Sequence, residues 1–573
     1  MFVAFEGIDG SGKTALSNLV ADRLRAAGRE VVHARAQGVL ASAVARRVRE
    51  LTRDAALLEM SPRAELFLNL AREAQQLDEV VRPALAHGAV CIADRSLHSI
   101  AALAVGGRAL PREEVAAATA AAAGGTWPAL AVLVDVDPDV ARLRRQVRKL
   151  VEGRDAGAES RKGLAGAGLQ VRIRRHLLAA AADDPATWLV VGNEARPLGA
   201  LAAELAAEIE RRLAGGAPRP APAQAAVRRR AGKAADPAEV AARFRAGLAA
   251  LAATEPGLAA YLLSGIPGPA EHVLRAALAP RAPAIVARGL AGLTGPDTAG
   301  LRRALADVVP ADVALGLERD PSPAAAALRA TLVARVPGAV ARALAGDGSE
   351  AAWALRARAL EAGELGGVLA GLAGVDDPRA WALRSDGLAR GLAVDVARSL
   401  AHLPGARADA LRGELAGRDR LAALRATTGV DGPLARSLRE ALFPHAPKRV
   451  LRSLTGVDAP YAWALRERAL ALTKEALDSV DAMDHPRAWA LREAGLGSWP
   501  ATAVSSLRHL VRGPRGRAVL ARALATAPGS IAVLRNAHAA FAHEVPLPLS
   551  NTVATRAADE PPRAVALEEP CST

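Results

Sequence analysis

The first 213 residues alternate between two patterns of apolar positions. Short apolar runs of strand length are separated by longer stretches in which apolar residues recur at helical spacing. Strands separated by helices in this way favour an α/β fold, a parallel sheet with helices on both faces. The runs predict five strands, near residues 2–5, 30–34, 89–93, 129–134 and 188–191.

The rest of the chain follows a helical pattern only. Residues 214–235 are rich in proline, glycine and arginine and predict a semi-stiff linker between the first domain, residues 1–213, and a second one. Residues 236–540 carry apolar positions at helical spacing. From residue 541 to residue 573, prolines and scattered acidic residues predict a disordered tail.

The second region repeats itself. Trp-Ala-Leu-Arg occurs at Trp353, Trp381, Trp463 and Trp489, with leucine seven places after each tryptophan, and weaker copies set a unit of about 27 residues. Both sides of such a helix are apolar, so each unit is expected to be two short helices between neighbouring units of an all-α solenoid. The architecture resembles HEAT- or armadillo-type repeats, and we expect the tryptophans to pack in the core.

Each copy also has an arginine three places after the tryptophan position. Stacked units would align these side chains in a row, and we favour a structural ladder in which each one bonds a neighbouring unit's aspartate or free helix-end carbonyls. An anionic ligand or nucleic acid along the row is the alternative. The row comprises Arg275, Arg302, Arg329, Arg356, Arg384, Arg412, Arg439, Arg466 and Arg492.

The first predicted strand leads into a complete G-x-x-x-x-G-K-T motif that a helical run follows. In such a loop the backbone N–H groups point at an anion, and the next helix adds its positive end. Lys13 would reach the β- and γ-phosphates of ATP, and the Thr14 hydroxyl would hold Mg²⁺. The predicted nucleotide-binding residues are Gly7, Ile8, Asp9, Gly10, Ser11, Gly12, Lys13 and Thr14.

Charge and cysteine content narrow the choice of partners. The net charge of +14 and a pI near 10.8 suggest nucleic acid. The excess is almost all arginine in a chain with 3 % aromatic residues, which leaves few stacking platforms, so nucleic acid is the weaker alternative. Two cysteines support neither a disulfide framework nor a zinc cluster and favour the reducing cytoplasm.

No membrane association is expected. The first strand begins at the N-terminus, which argues against a signal peptide. The uncharged stretch Val115 to Val134 is long enough to cross a bilayer, but Gly124 to Pro128 interrupt it. We therefore expect a helix end, a turn and a buried strand there.

Several motifs of the first domain together resemble the thymidylate kinase family. Phe5 to Thr14 is similar to that family's F-E-G-x-D-G-x-G-K-T, Asp94-Arg95-Ser96 follows a strand where the family has D-R-Y, and residues 134–138 are similar to L-D-V-D-P. Residues 171–174 resemble the helix that follows the family's lid. The resemblance implies phosphorylation of dTMP to dTDP by ATP with Mg²⁺.

The resemblance also implies roles on the acceptor side. Asp94 would orient metal-bound water, and Arg95 would grip the acceptor's phosphate. Asp9 would accept a hydrogen bond from the acceptor's sugar 3′-hydroxyl. Ser99 matches a family serine, and the segment with Phe67 and Arg72 would hold the thymine base.

The loop contains no arginine, which in the family implies that the lid supplies the cation that closes over the phosphates. Arg148, Arg154 and Arg161 lie in the corresponding segment, and we expect Arg154 or Arg161 to take this role. The predicted catalytic residues are therefore Lys13, Arg95, Arg154 and Arg161.

Departures from the family pattern lie mainly at the base site. Ser96 replaces the tyrosine of D-R-Y, and, unless Arg72 is shifted into that role, Glu73 aligns with the family's arginine and Phe67 is out of register too. Three hypotheses follow: a nucleoside monophosphate kinase, an ATP-binding switch for a protein partner of the solenoid, and a nucleic-acid-associated ATPase that uses the arginine row. The oligomeric state, a homodimer included, stays open.

Overall fold

A computed structural model of the protein describes residues 1–153, 160–194, 196–215, 236–318 and 320–542. The lid candidate Arg154, nearly all of the predicted linker and the predicted tail from residue 543 lie outside the described residues.

Five parallel strands form one sheet in the order β2-β3-β1-β4-β5, as the sequence pattern predicts. The central strand is buried along its whole length because it pairs with a strand on each side and helices cover both faces. The strands are β1 Phe2–Glu6, β2 Val31–His33, β3 Val90–Asp94, β4 Leu130–Asp135 and β5 Trp188–Gly192.

Ten α-helices are described in this α/β part. Leucines and valines of α1 and α10 pack on one face of the sheet, and helices α3 to α6 and α9 cover the other. The bounds are α1 Lys13–Ala26, α2 Ala43–Arg53, α3 Pro62–Gln76, α4 Arg82–Ala86, α5 Leu97–Ala101, α6 Arg112–Ala123, α7 Pro138–Val151, α8 Arg161–Leu164, α9 Ala167–Asp183 and α10 Leu198–Leu213.

Short π-helical turns, Leu77–Val81 and Ala102–Gly107, continue α3 and α5, and a 3₁₀ turn spans Ala36–Gly38. The uncharged stretch from Val115 to Val134 is the end of α6, a turn and β4, as predicted. Over the described residues, no helix is long and apolar enough to span a bilayer.

The remainder of the described chain is helical. Longer and shorter helices alternate, which confirms the predicted two-helix unit, and a 3₁₀ segment spans Arg508–Arg512. The bounds are α11 Pro237–Thr254, α12 Pro256–Leu262, α13 Pro269–Leu278, α14 Pro283–Gly289, α15 Pro296–Leu305, α16 Pro310–Leu315, α17 Pro323–Leu332, α18 Pro337–Arg342, α19 Glu350–Glu361, α20 Leu365–Ala370, α21 Pro378–Ala389, α22 Ala393–Ser399, α23 Ala406–Arg418, α24 Arg420–Ala426, α25 Pro433–Leu442, α26 Pro447–Ser453, α27 Pro460–Leu470, α28 Glu475–Asp478, α29 Pro486–Gly495, α30 Pro500–Ser505, α31 Pro514–Thr526 and α32 Ile531–Phe541.

The nine arginines of the repeat are buried, with at most 8 % of their surface exposed. Each guanidinium donates to the carbonyl oxygen of the residue twelve places earlier, at the end of the preceding short helix, over 2.6–3.0 Å. These carbonyls would otherwise lack helical partners. The helix-end form of the predicted ladder is confirmed, and the alternative of a ligand or nucleic acid along the row is wrong because the row is closed to solvent.

Three aspartates that precede repeat helices bond a tryptophan instead of the ladder arginine that was expected, whereas Asp431 lies 3.6 Å from the ladder arginine Arg439 and Asp320 pairs with Arg302. Asp376, Asp458 and Asp484 accept hydrogen bonds from the indole N–H of the tryptophan five places later, over 2.6–2.7 Å. The four tryptophans are buried as predicted, and each lies 4.5–5.0 Å from the guanidinium of the arginine three places on. At Trp381, Trp463 and Trp489 the ring therefore orders both an aspartate and the ladder arginine.

The first and last described helices of the array pack together, so the array closes on itself. Phe244 of α11 contacts His538 of α32, and His538 lies 3.0 Å from Glu271. Arg535 of α32 donates to the carbonyl oxygen of Ser264 over 2.7 Å. Helix α7 of the α/β domain packs against α12, α14 and α32, so the array is also attached to the α/β domain.

Candidate functional site

The predicted phosphate loop connects β1 to α1 and leaves no room for side chains on its glycines. Gly7, Gly10 and Gly12 have φ values of +143°, +94° and +89°, which favour glycine. A Cβ atom on Gly7 would lie 2.6 Å from the carbonyl oxygen of Val134, and one on Gly12 would lie 2.5 Å from the side-chain amide of Asn193. The buried Ser11 hydroxyl has no partner among the described residues. Such a cradle fits a phosphate group.

Lys13 begins α1 and is buried under the loop. Its ammonium group donates to the carbonyl oxygen of Ile8 over 3.2 Å and lies 3.9 Å from Asp9. Burial and the neighbouring Arg95 lower the pKa of Lys13 to about 8. A buried ammonium group with few partners is well placed to receive an anion.

Thr14 and Asp94 meet across the cleft between α1 and the end of β3. The Thr14 hydroxyl donates to Asp94 Oδ2 over 2.5 Å, while Asp94 Oδ1 is buried without a partner in the described part of the chain. Burial acts to raise the pKa of Asp94, but Lys13, Arg35 and Arg95 outweigh it and lower the pKa. A hydroxyl and an ionised carboxylate at this place fit Mg²⁺, which prefers oxygen ligands.

Arg95 connects the loop to the opposite wall of the cleft. Its guanidinium pairs with Asp9 and donates to the carbonyl oxygen of Gly7 and the Ser99 hydroxyl, each over 3.0 Å. Arg95 also has a φ of +80°, a conformation that non-glycine residues adopt only under constraint. Buried Glu6 accepts hydrogen bonds from Ser96 and Ser99 and thereby fixes the turn that carries Arg95.

Two further arginines, Arg35 and Arg49, lie on the same wall of the cleft. Neither is among the site residues predicted from the sequence. The Arg35 guanidinium donates to the main-chain carbonyl of Asp94 over 3.1 Å. Burial and the proximity of Arg35, Arg53 and Arg72 lower the pKa of Arg49 to about 9. Arginines that outnumber the carboxylates near them indicate an anion site. Arg35 could have been found because residues 35–38 stand where the thymidylate kinase family has R-E-P-G-G. Arg49 lies on the amphipathic helix α2 and belongs to no local motif.

The structure corrects the predicted base-binding segment. Phe67 lies on the outer face of α3 with 61 % of its surface exposed, so it does not face the cleft. Asn69 and Glu73 lie buried on the inner face, and Arg72 donates to Asn69 over 3.0 Å. These helix faces support the alignment in which Glu73, and not Arg72, stands at the position of the family's arginine. Burial raises the pKa of Glu73 despite the nearby Arg72.

The structure also corrects the lid. Arg161 lies on α8, where it donates to the carbonyl oxygen of Met60 over 2.9 Å and pairs with Glu65, so it does not point at the phosphate loop. The next residue, Lys162, is the lid cation whose charge interacts with Asp9 and Arg95. Burial lowers the pKa of Lys162 to about 7. Among the described lid residues, Lys162 replaces Arg161 as the candidate.

Two amides that the sequence analysis missed hold the loop in place. Gln170 of α9 accepts the main-chain N–H of Asp9 over 3.0 Å. Asn193, which follows β5, donates to the carbonyl oxygen of Ser11 over 2.7 Å. Both amides act across more than 160 residues of sequence, so no local pattern pointed to them.

Comparison with known proteins supports the assignment that this geometry suggests. A family profile described as thymidylate kinase matches residues 5–194. The thymidylate kinase of Solidesulfovibrio magneticus is 38 % identical over 197 residues, which are 34 % of this chain and 93 % of that protein. The thymidylate kinase of Nitratidesulfovibrio vulgaris is 36 % identical over 197 residues, which are 34 % of this chain and 90 % of that protein. The chain belongs to the thymidylate kinase family.

The thymidylate kinase domain is a phosphotransferase domain of a family that uses ATP and Mg²⁺. The thymidylate kinase of Pseudomonas fluorescens is 36 % identical over 189 residues, 33 % of this chain and 85 % of that protein. A crystal structure of thymidylate kinase from Ehrlichia chaffeensis matches with 19 % identity and a TM-score of 0.28, over 37 % of this chain and 98 % of that chain. The helical array lies beyond the residues that the family profile matches.

Proposed function

We propose that the protein transfers the γ-phosphoryl group of ATP to dTMP and forms dTDP. The observation that carries this proposal is that two cationic sites share one cleft. Lys13 and the loop amides form the first, and Arg95, Arg35 and Arg49 form the second. The first suits the phosphates of ATP, and the second suits the phosphate of a monophosphate acceptor.

Each group has a role that its contacts suggest. Lys13 and Lys162 would neutralise charge that develops on the transferred group, because the Lys13 ammonium lies 3.9 Å from Asp9 and the charge of Lys162 interacts with the same carboxylate. Arg95 would hold the acceptor phosphate in line, and Asp9 would accept the sugar 3′-hydroxyl. Mg²⁺, when held near Thr14 and Asp94, supplies further charge neutralisation at the β- and γ-phosphates.

The experiment is a panel assay with the full chain, ATP and Mg²⁺. Deoxynucleoside and ribonucleoside monophosphates are supplied one at a time, and both ADP and the diphosphate product are measured. Lys13→Ala is the blank. We expect dTDP to form faster than any other diphosphate, and the acceptor assignment fails if another monophosphate is preferred.

A second candidate is an ATP-binding switch that acts on a protein partner of the helical array. The observation in its favour is Glu73, a buried carboxyl group on the face of α3 that lines the acceptor side, with Asn69 beside it. A carboxyl group in place of the family's arginine would remove a polar contact that reads the thymine base. Tight ATP binding with no ADP above the Lys13→Ala blank for any acceptor would favour the switch.

The helical array is proposed to serve as the scaffold for such a protein partner, in the manner of HEAT- or armadillo-type repeats. Support comes from the repeated two-helix unit and from the surface that many short helices present.

A further inference from the structure

The helical array contacts the thymidylate kinase domain at the helix that follows the lid. The first amide of α9, that of Ala167, donates to the hydroxyl oxygen of Thr473 over 3.2 Å. Thr473 is fully buried and donates its own proton to Glu475, which is also buried. The hydroxyl therefore faces α9 as an acceptor and acts as an N-cap supplied by the other domain.

The fit at this contact is tight. A Cβ atom on Gly168 would overlap the carbonyl oxygen of Leu472, and one on Gly166 would overlap the hydroxyl of Thr473. Arg172 of α9 also donates to the Leu472 carbonyl over 3.3 Å. Glycine is therefore required where the backbone of the array approaches the lid.

The unit of the array that makes this contact departs from its neighbours. The short helices of the preceding and following units begin with Pro447 and Pro500, whereas α28 begins at Glu475 without a proline. Arg466 and the serine that it bonds are 13 residues apart, compared with 14 in both neighbouring units. The array varies in the same ways elsewhere, since α20, α22 and α24 also begin without a proline and Arg384 and its serine are 15 residues apart.

From α9 the contact continues to the phosphate loop. Gln170, three residues after the capped amide, accepts the main-chain N–H of Asp9, and its own amide group lies 3.5 Å from the Asp9 carboxylate. Because α9 is a continuous helix, the position of its first turn sets the position of Gln170. Thr473 thereby acts on Asp9 through one helix.

A second route reaches the other half of the loop. Glu255 of the array accepts two hydrogen bonds from Arg144 of α7, over 2.5 and 2.8 Å. Arg144 also donates to the carbonyl oxygen of Asn193 over 2.8 Å, and Asn193 in turn holds the carbonyl of Ser11. The bidentate pair fixes the plane of the guanidinium and hence the position of Asn193.

We propose that Thr473 and Glu255 of the helical array are positioning residues of the phosphoryl-transfer reaction, Thr473 through Gln170 on Asp9 and Glu255 through Arg144 and Asn193 on Ser11. The inference rests on the proposed function, which assigns Asp9 to the acceptor and places Ser11 in the loop that binds ATP. The helical array therefore holds in place two residues of the nucleotide-binding sites.

The test uses five variants of the full chain: two that remove a contact, two matched controls and the rescue variant Thr473→Ser. Thr473→Val and Glu255→Gln remove the two contacts. Thr427→Val is the control for the first, since Thr427 is equally buried and its hydroxyl donates to the Leu424 carbonyl within the array. Asp312→Asn is the control for the second, since Asp312 pairs with Arg288 inside the array.

The two contact variants are expected to separate the two substrates. Thr473→Val raises the KM for the acceptor by about fivefold to tenfold and leaves the KM for ATP unchanged. Glu255→Gln raises the KM for ATP by a similar factor and leaves the KM for the acceptor unchanged. Thr473→Ser restores the acceptor KM, and neither control shifts either constant. The proposal is overturned if each contact variant matches its control, or if both variants change only the melting temperature.

A readout without turnover separates this inference from the proposed function. Hydrogen exchange of the amides of residues 7–14 is compared between each contact variant and its control. Faster exchange in Thr473→Val and Glu255→Gln supports the positioning role even if no monophosphate is phosphorylated. Unchanged exchange in both variants overturns it whatever the substrate.

Discussion

The Thr14 hydroxyl donates to Asp94 over 2.5 Å and joins the start of α1 to the end of β3. One oxygen of Asp94 is engaged in this way, while the other is buried and has no partner among the residues that the structure describes. This pair is the part of the cleft best suited to a divalent cation.

Asp94→Asn is therefore expected to change the requirement for Mg²⁺. The amide keeps the shape of the side chain but removes the negative charge that attracts the cation. We expect the Mg²⁺ concentration for half-maximal activity to rise by at least about tenfold, or about 1.4 kcal/mol. Activity measured against free Mg²⁺ tests this, with the exposed Asp22→Asn of α1 as control. Overlapping Mg²⁺ curves for the two variants would exclude Asp94 from the metal site.

Lys162 predicts a dependence of nucleotide affinity on pH. Burial lowers its pKa to about 7, so the side chain is charged at pH 6 and mostly neutral at pH 8. Because the charged form attracts phosphate, the affinity for nucleotide should fall as the pH rises through 7. Calorimetric titrations at pH 6, 7 and 8 measure this, and Lys162→Met should remove most of the slope between pH 6 and 7, where Lys13, with a pKa of about 8, stays mostly charged.

Lys149→Met serves as the matched control, since Lys149 is an exposed lysine on α7. It should keep the pH dependence of the unmodified chain. A slope between pH 6 and 7 that survives in Lys162→Met would assign the effect to another group.

The buried arginine ladder makes a prediction about stability. Arg384 donates to the carbonyl oxygens of Leu372, Val375 and Ser399, all within the array. Arg384→Ala leaves these acceptors unpaired and opens a cavity, so we expect the free energy of unfolding to fall by about 3 kcal/mol or more. Chemical denaturation followed by circular dichroism measures the change.

Arg390→Ala is the control, because Arg390 is exposed and pairs with Asp386, four places earlier. Arg390→Ala should lower the free energy of unfolding by no more than about 0.5 kcal/mol. If the two alanine variants were equally stable, the buried ladder would not be what fixes the repeat.

Local pattern predicted the five strands, the phosphate loop and the paired helices, because each depends on residues close together in the sequence. The arginine ladder was also predictable, since a charge repeated at one helical position needs a repeated partner. Closure of the array through Phe244 and His538 could not be predicted, because residues nearly 300 apart make that contact.

The site residues were predictable where a sequence motif fixes the backbone. They were not predictable where the packing of a helix determines which of its residues face the cleft. Phe67 and Asn69 are two residues apart on α3, and only packing shows that Asn69 faces inward. In the same way, Arg161 and Lys162 are neighbours on a helix of four residues and point to different partners. The sequence motifs pointed to Phe67 and Arg161. The tertiary structure instead places Asn69 and Lys162 toward the site.

The most direct test of the account is the fate of the γ-phosphoryl group of ATP. The full chain is incubated with Mg²⁺, ATP labelled at the γ-phosphate and dTMP, and the labelled products are separated. The account predicts labelled dTDP in amounts equal to the ADP formed, and none with Lys13→Ala. Release of the label as inorganic phosphate, with dTMP unchanged, would contradict it.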